Sequence, residues 1–441
     1  MLQTPAPRSV QLRTLGCRLN TAESDEIIAA LVARRIDTNA VDPEVIVVNT
    51  CTVTAEASKA SRKLIRRSVA DHPRAKIVVT GCYAVAEPEA VAVIPGVDLV
   101  IPNKDKEQLA AIVAGSTAAS ANGLRPPVRV RANLKVQTGC DELCSFCIVP
   151  RTRGGLASRT PGEVVALARA MAGAGTRELI LTGVHLGKYG WDLPGSNRLA
   201  DLLGRLGAIP ELERIRLSSI EASQIDMPLL ETMALEPKVC RHLHIPLQTG
   251  DDRLWRAMRR PGRLDHYLEI TDRANDIIAD LTLTTDVMVG FPGEDESAFA
   301  NTLAVSTSVG FRKLHVFRFS PRLGTPAAFA PRQVDRAIMR DRSERLRRLG
   351  DRLRTGWVKS QAGRHVQVLI EKGNPLGPDT PGTLRLSGLT DNYLRVRSKG
   401  PAGLVGRTVD VLVTSVKQDS VEGDVVGRLP VLQDSGGFDS C

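Results

Sequence analysis

Cys140, Cys144 and Cys147 share one short run, Gly139-Cys140-Asp141-Glu142-Leu143-Cys144-Ser145-Phe146-Cys147. Three thiolates at x3/x2 spacing can hold three corners of a cubic iron–sulfur cluster, and no fourth cysteine is close enough to take the last. An iron without a protein ligand can bind something else, so the site reads as chemistry rather than electron storage. Zinc and a disulfide are the competing uses. A structural zinc site wants four protein ligands, typically as two separated pairs, and this loop has no second pair. Thiolate softness and the asymmetric spacing favour the cluster.

Three further cysteines recur in one structural slot. Ser9–Leu15 reads as a strand ahead of Gly16-Cys17, and a helix-like run follows from Thr21. The apolar run Val45–Val48 precedes Asn49-Thr50-Cys51, and Lys76–Val79 precedes Thr80-Gly81-Cys82, each followed by a helical stretch. Strand–helix alternation implies a parallel sheet, so each cysteine falls just past a carboxyl end, where open α/β sheets place ligands. Nearby helix N-termini favour thiolates and an anionic cluster. Buried small hydrophobes are the bland alternative for Cys17, Cys51 and Cys82; their shared slot favours a second three-thiolate cluster.

The elements that must position these residues divide the chain. Residues 115–127, rich in Gly, Ser and Pro, mark a linker. Beyond it, candidate strands at Leu134–Gln137, Glu178–Thr182, Arg214–Ser218, Arg241–Leu247, Leu281–Val289 and Lys313–Ser320 alternate with helices. Six such units predict an open (β/α)6 barrel with its site at the strands' carboxyl ends, where the Cys140 loop would sit. Residues 337–359 form an arginine-crowded helix, which is either a solvated face or an RNA contact. Past Gly363, short alternating strands fit a small all-β barrel of oligonucleotide-binding shape. The expected domains are 8–118, 126–356 and 358–428, with a disordered tail at 429–441 containing Cys441.

The 441 residues include 59 Lys+Arg against 49 Asp+Glu, a formal charge of +10. That excess points to a polyanionic partner, nucleic acid before membrane, with an arginine-rich compositional bias as the alternative. The N-terminus has no apolar signal-peptide core, and no run is long and apolar enough to span a bilayer. Eight cysteines without an export signal fit a reducing cytoplasm.

Taken together, these segments resemble the radical S-adenosylmethionine methylthiotransferases. The likeness rests on Thr14-Leu15-Gly16-Cys17-Arg18-Leu19-Asn20, Asn49-Thr50-Cys51-Thr52-Val53-Thr54, Thr80-Gly81-Cys82, Gly139–Cys147 with Arg153-Gly154, His244–Gly250 and Thr285–Glu294. It covers nearly the whole chain. The resemblance implies an N-terminal methylthiotransferase domain, a radical SAM barrel and a C-terminal TRAM domain that grips RNA. It implies that Cys140, Cys144 and Cys147 hold the radical [4Fe-4S] cluster, which binds S-adenosylmethionine, and that Cys17, Cys51 and Cys82 hold an auxiliary [4Fe-4S] cluster presenting sulfur. An electron donor such as flavodoxin or ferredoxin is implied as well. Gly183, Glu221, Gln248 and Asp286 stand at barrel strand ends and are assigned to S-adenosylmethionine, with satisfied structural polar groups as the alternative. His242 and His244 share one face of a strand and read as interior hydrogen-bonding groups rather than metal ligands.

The family divides by target. The Cys17 and Cys51 segments, with Glu23, and Phe319–Pro326 look most like the branch acting on N6-threonylcarbamoyladenosine beside the tRNA anticodon. The branch acting on N6-isopentenyladenosine usually carries an aromatic before its first Gly-Cys and Gln-Met-Asn after it. A ribosomal-protein aspartate is a third target, and a non-catalytic iron–sulfur RNA-binding redox sensor is the reading from another class. A threonylcarbamoyl carboxylate needs a fixed donor, for which Arg18, Arg151 and Arg153 are the candidates. The run Arg260-Pro261-Gly262-Arg263 departs from the family pattern.

Overall fold

Runs of β-branched residues set the first sheet. In the computed structural model, which describes residues 7–115, 129–195, 198–377, 380 and 382–428, β1 (Val10–Thr14), β2 (Val45–Thr50), β3 (Lys76–Gly81) and β4 (Leu99–Val100) pair side by side, all parallel. Every residue of β2 is buried, because helices cover both faces. Val45 and Val47 pack with Val10, Ile27 and Leu31 on one side, and Ile46 and Val48 pack with Ile65, Ile77 and Tyr83 on the other. The three repeats read from the sequence are joined by β4, which is too short to show any periodicity. Helices α1 (Arg18–Ala33), α2 (Ala55–Asp71) and α3 (Cys82–Ala86) follow the first three strands directly. Thr54 starts α2 by accepting from the Ala57 N–H. The expected linker beyond Gly115 and the expected tail with Cys441 lie outside the described residues.

Six more strands form the open barrel. β5 (Arg131–Lys135), β6 (Glu178–Thr182) and β7 (Arg214–Leu217) make one parallel triplet. β8 (His242–His244), β9 (Thr282–Val289) and β10 (Lys313–Arg318) make another. Bridges Ile215↔Val239 and Ser219↔His244 join the two. β8 is shorter than expected because Pro246 has no N–H for the ladder, and the Leu247 N–H turns to Thr285 Oγ1 (2.8 Å). Helices α4 (Val149–Arg153), α5 (Asp252–Ala257) and α6 (Leu264–Ile277) lie among the strand connections. The first sheet and the barrel form one compact unit, 1–350.

Residues 351–441 form the second unit. Helix α7 (Arg336–Lys359) runs across that division. Beyond it β11 (His365–Pro375), β12 (Thr383–Leu389), β13 (Arg395–Pro401), β15 (Ser420–Arg428) and β14 (Thr408–Val416) close a barrel in that order. Only the β13–β15 pair is parallel. Val368, Leu386, Val396, Val409 and Val411 fill it, with Trp357 and Val358 of α7. Closure removes the free edges a five-stranded sheet would otherwise expose.

Candidate functional site

The Cys140 loop leaves β5 through a short hairpin, Gln137–Thr138 against Ala157–Ser158. Gly139 has φ +74, and a Cβ there would meet the Gly155 carbonyl at 1.7 Å, so no other residue fits. Gln137 clamps the turn: its Nε2 donates to the Gly139 carbonyl (2.8 Å) and its Oε1 accepts from the His185 N–H (2.9 Å). Lys188 reaches across to Asp141 (2.8 Å) and Glu142 (2.6 Å) and staples the loop from the β6 side. The Glu142 N–H points at the Cys140 sulfur (3.4 Å).

Cys144 and Cys140 both act electrostatically on Cys147. Burial is the main influence on these thiols, pushing Cys140 up to about 11 and Cys147 up to about 12, with Cys144 also raised. All seven described cysteines are free thiols, so no disulfide forms among them. Three desolvated thiols in a single loop, each acting electrostatically on another, fit a metal cluster, which would satisfy them as thiolates. Asp141 and His185 have ligand atoms within 4.8 Å of Cys140, but Lys188 already occupies the Asp141 carboxylate.

The second triad converges from three strand ends. Cys17 caps α1, Cys51 follows β2 directly and Cys82 opens α3. Cys82 and Cys17 both act electrostatically on Cys51, whose thiol burial pushes up. Gly81 has φ +99, and a Cβ there would meet the Thr50 carbonyl at 2.3 Å; this close approach lets Cys82 sit beside Cys51. Asn20 and Asn49 bind the loops together. Asn20 Nδ2 donates to the Leu15 and Thr50 carbonyls, and Asn49 Nδ2 donates to the Asn20 carbonyl. Ser61 Oγ donates to the Cys51 carbonyl and accepts from its N–H.

Residues flanking the two triads are tied to one another. Asn103 Nδ2 donates to the Thr152 carbonyl (2.8 Å) and lies 3.8 Å from the Cys82 sulfur. Arg322, beyond β10, donates to the Thr52 carbonyl (3.2 Å) and Ser58 Oγ (2.9 Å). Arg153, one of the candidates for a substrate carboxylate, is tied to the first sheet. Its side chain is 3% exposed and pairs with Glu23 (2.8 Å) and Asn20. Lys106, buried and unremarked in the sequence, pairs with the same Glu23 (2.7 Å). Burial alone would raise the Glu23 carboxyl, but Lys106 and Arg153 outweigh it and hold the pKa at about 2.

Arg18 and Arg151 are exposed. Arg18 acts electrostatically on His242 and His315, and Arg151 Nη1 lies 3.5 Å from the Leu323 carbonyl. His242 Nε2 and His244 Nδ1 each share a hydrogen bond with Thr284 Oγ1 (2.9 Å), as interior polar groups should. Of the residues assigned to S-adenosylmethionine, Asp286 faces His244 Nε2 (3.2 Å). Gln248 sits beside it at φ +63, its backbone bonded to Asp286 and Met288. Glu221 pairs with Arg260. The space a Cβ on Gly183 would need is filled by Gln137 (2.8 Å). The sequence carried no periodic or motif signal for Lys106 or Lys188; Arg260 it marked only as part of a departing run.

An open parallel barrel with three thiols at its mouth defines a radical SAM enzyme, and residues 134–305 match the Radical SAM superfamily. Residues 9–102 match Uncharacterized protein family UPF0004. The threonylcarbamoyladenosine tRNA methylthiotransferase MtaB of Bacillus subtilis (strain 168) is 36% identical over 95% of this chain and 96% of its own. The tRNA-2-methylthio-N(6)-dimethylallyladenosine synthase of Frankia alni is 34% identical over 93% and 86%. The chain therefore belongs to the radical S-adenosylmethionine tRNA methylthiotransferases. Membership brings S-adenosylmethionine and a [4Fe-4S] cluster. Among solved structures, the radical S-adenosylmethionine methyltransferase TsrM from Kitasatospora setae aligns at TM-score 0.55 and 14% identity, over 84% of this chain and 79% of that one, a likeness of fold.

Proposed function

We propose that this enzyme methylthiolates C2 of N6-threonylcarbamoyladenosine next to the tRNA anticodon. Relatives named for two different adenosine derivatives stand at 36% and 34% identity, so overall similarity does not separate the substrates. The observation that carries the choice is Arg18. It opens α1 immediately after Cys17, is exposed, and acts electrostatically on the barrel histidines His242 and His315. A threonylcarbamoyl group carries a carboxylate that wants such a fork, whereas an isopentenyl group is uncharged and apolar.

Under this reading Cys140, Cys144 and Cys147 hold the radical cluster, and Cys17, Cys51 and Cys82 hold an auxiliary one. The domains run 8–118, 126–356 and 358–428, the last taking tRNA. When bound, S-adenosylmethionine and its cluster supply the one-electron chemistry that opens an unactivated C–H bond. This chain's residues supply alignment: Lys188 and Gln137 fix the Cys140 loop, Asn20 and Asn49 fix the Cys17 and Cys51 loops, and Arg153 with Glu23 locks one to the other. Flavodoxin or ferredoxin is the class of reductant, and the cytoplasm the compartment. No described helix is long and apolar enough to cross a membrane.

The test is a purified assay on two tRNAs, read by nucleoside mass spectrometry. tRNA bearing N6-threonylcarbamoyladenosine should gain the methylthio group, and isopentenyladenosine tRNA, which offers no carboxylate to a guanidinium, should react more slowly. Arg18→Gln should lower turnover on the first tRNA with iron content unchanged. Comparable rates on both tRNAs would return the assignment to the isopentenyl branch.

A further inference from the structure

The turn after α5 carries a guanidinium into the radical site. Arg259 sits at φ +53 and Gly262 at φ +68, so the chain reverses sharply through the run that departs from the family pattern. The reversal aims Arg260 inward, its side chain 5% exposed. Arg260 Nη2 donates to Glu221 Oε1 (2.8 Å) and to the Pro246 carbonyl (2.7 Å). The guanidinium also acts electrostatically on the Cys144 thiol and lies over the Trp255 ring, 5.2 Å from its centroid. Trp255 Nε1 in turn donates to the Gly262 carbonyl (3.1 Å).

The backbone of the same segment grips the cysteine loop. The Ser145 N–H donates to the Met258 carbonyl (2.9 Å) and Ser145 Oγ to the Ala257 carbonyl (2.8 Å). The turn therefore holds the cysteine loop through Ser145, the neighbour of Cys144, and sets a buried cation whose charge acts on the Cys144 thiol. A cation out of water beside a thiolate ligand favours the more negative state of whatever the thiolate binds. Hydrogen bonds to sulfur and local charge are two of the levers that set cluster potentials. Glu221 opposes this charge from 2.8 Å and is itself buried, so water screens neither partner well.

We propose that Arg260 is a positioning residue that seats Cys144 and raises the reduction potential of the cluster at the radical site, with Glu221 offsetting part of its charge. The proposal rests on the reading of Cys140, Cys144 and Cys147 as that cluster's ligands. It is tested on the full chain in a background with Cys17, Cys51 and Cys82 changed to Ala, so that one cluster remains. That background is reconstituted anaerobically and titrated by electron paramagnetic resonance without S-adenosylmethionine.

Arg260→Met should move the midpoint negative, lowering the reduced-to-oxidised ratio at a fixed poise about tenfold, a shift of ~59 mV for one electron. Glu221→Gln should move it positive, and Arg260→Lys should stay nearer the parent than Arg260→Met. A merely structural role would not produce shifts of opposite sign. If Arg260→Met holds no iron, Glu221→Gln and Arg260→Lys decide. Midpoints unchanged from the parent in the iron-holding variants would overturn the proposal. A parent background without iron would instead overturn the ligand assignment.

Discussion

Among the described residues, buried carboxylates are held by cations. Glu178, fully buried at the start of β6, pairs with Arg216 Nε (2.7 Å) and Arg131 Nε (3.0 Å). Burial would raise its carboxyl, but Arg216 and Arg131 outweigh it and hold the pKa at about 2. A carboxyl whose pKa is lowered on folding stabilises above its unfolded value, near 4.5, and loses that contribution as pH falls from about 4.5 toward about 2. Glu178→Gln should destabilise the protein at pH 7 by about 3 kcal/mol, because two guanidinium groups are left uncompensated. The variant and parent should draw together as the pH falls from about 4.5 and converge only near about 2. Denaturant melts at the two pH values check this, and an equal gap at both would contradict the account. Glu23 belongs to the same class, with the difference that its partners come from separate parts of the chain. The sequence marked Glu23 only as a family feature, since nothing local to Lys106 or Arg153 says that they will meet it.

At the scale of elements, β13 shows how alternation becomes function. Val396 and Ser398 face the interior, while Arg395, Arg397 and Lys399 face out. On β12 the exposed Arg385 pairs in register with Lys399, and Ser387 with Arg397. The result is a four-cation strip on one ribbon, laid over an apolar core that does not depend on it. Changing Arg385, Arg395, Arg397 and Lys399 to Gln should weaken tRNA binding and flatten its logarithmic salt dependence, by up to about one unit of slope for each phosphate no longer neutralised. The barrel should melt as before. An unchanged salt slope would move the RNA contact to the arginine-rich face of α7. The strand alternation past Gly363 was plain in the sequence. Which outward positions would neighbour one another was not, because register is set by closure and by the bulge between Ile370 and Lys372.

At the scale of the whole molecule, segments flanking two triads far apart in the chain are tied together. If both triads take clusters, anaerobically reconstituted protein should carry about eight irons. Replacing Cys140, Cys144 and Cys147 with Ala should halve the iron and stop S-adenosylmethionine cleavage. Replacing Cys17, Cys51 and Cys82 should halve the iron while leaving cleavage measurable. Full iron in the second variant would remove the auxiliary site from the account. The two halves of unit 1–350 depend on each other through Arg153–Glu23 and Arg322–Thr52, pairings that join segments far apart in the chain. These pairings tie the first sheet to the barrel within the compact unit 1–350.

The sequence by itself determined the strand–helix alternation and which residues can ligate metal, since periodicity and side-chain chemistry are local properties. The spacing of Cys140, Cys144 and Cys147 lies within one loop, so that group was legible directly. Cys17, Cys51 and Cys82 were legible only because parallel topology sends every strand's carboxyl end to the same edge. Only the tertiary structure decided that Arg153 is an internal tie, that Gly183 packs on Gln137, and that Arg260 meets Cys144. Each of those outcomes depends on a partner far along the chain, and long-range pairing of buried charge leaves no periodic trace in sequence.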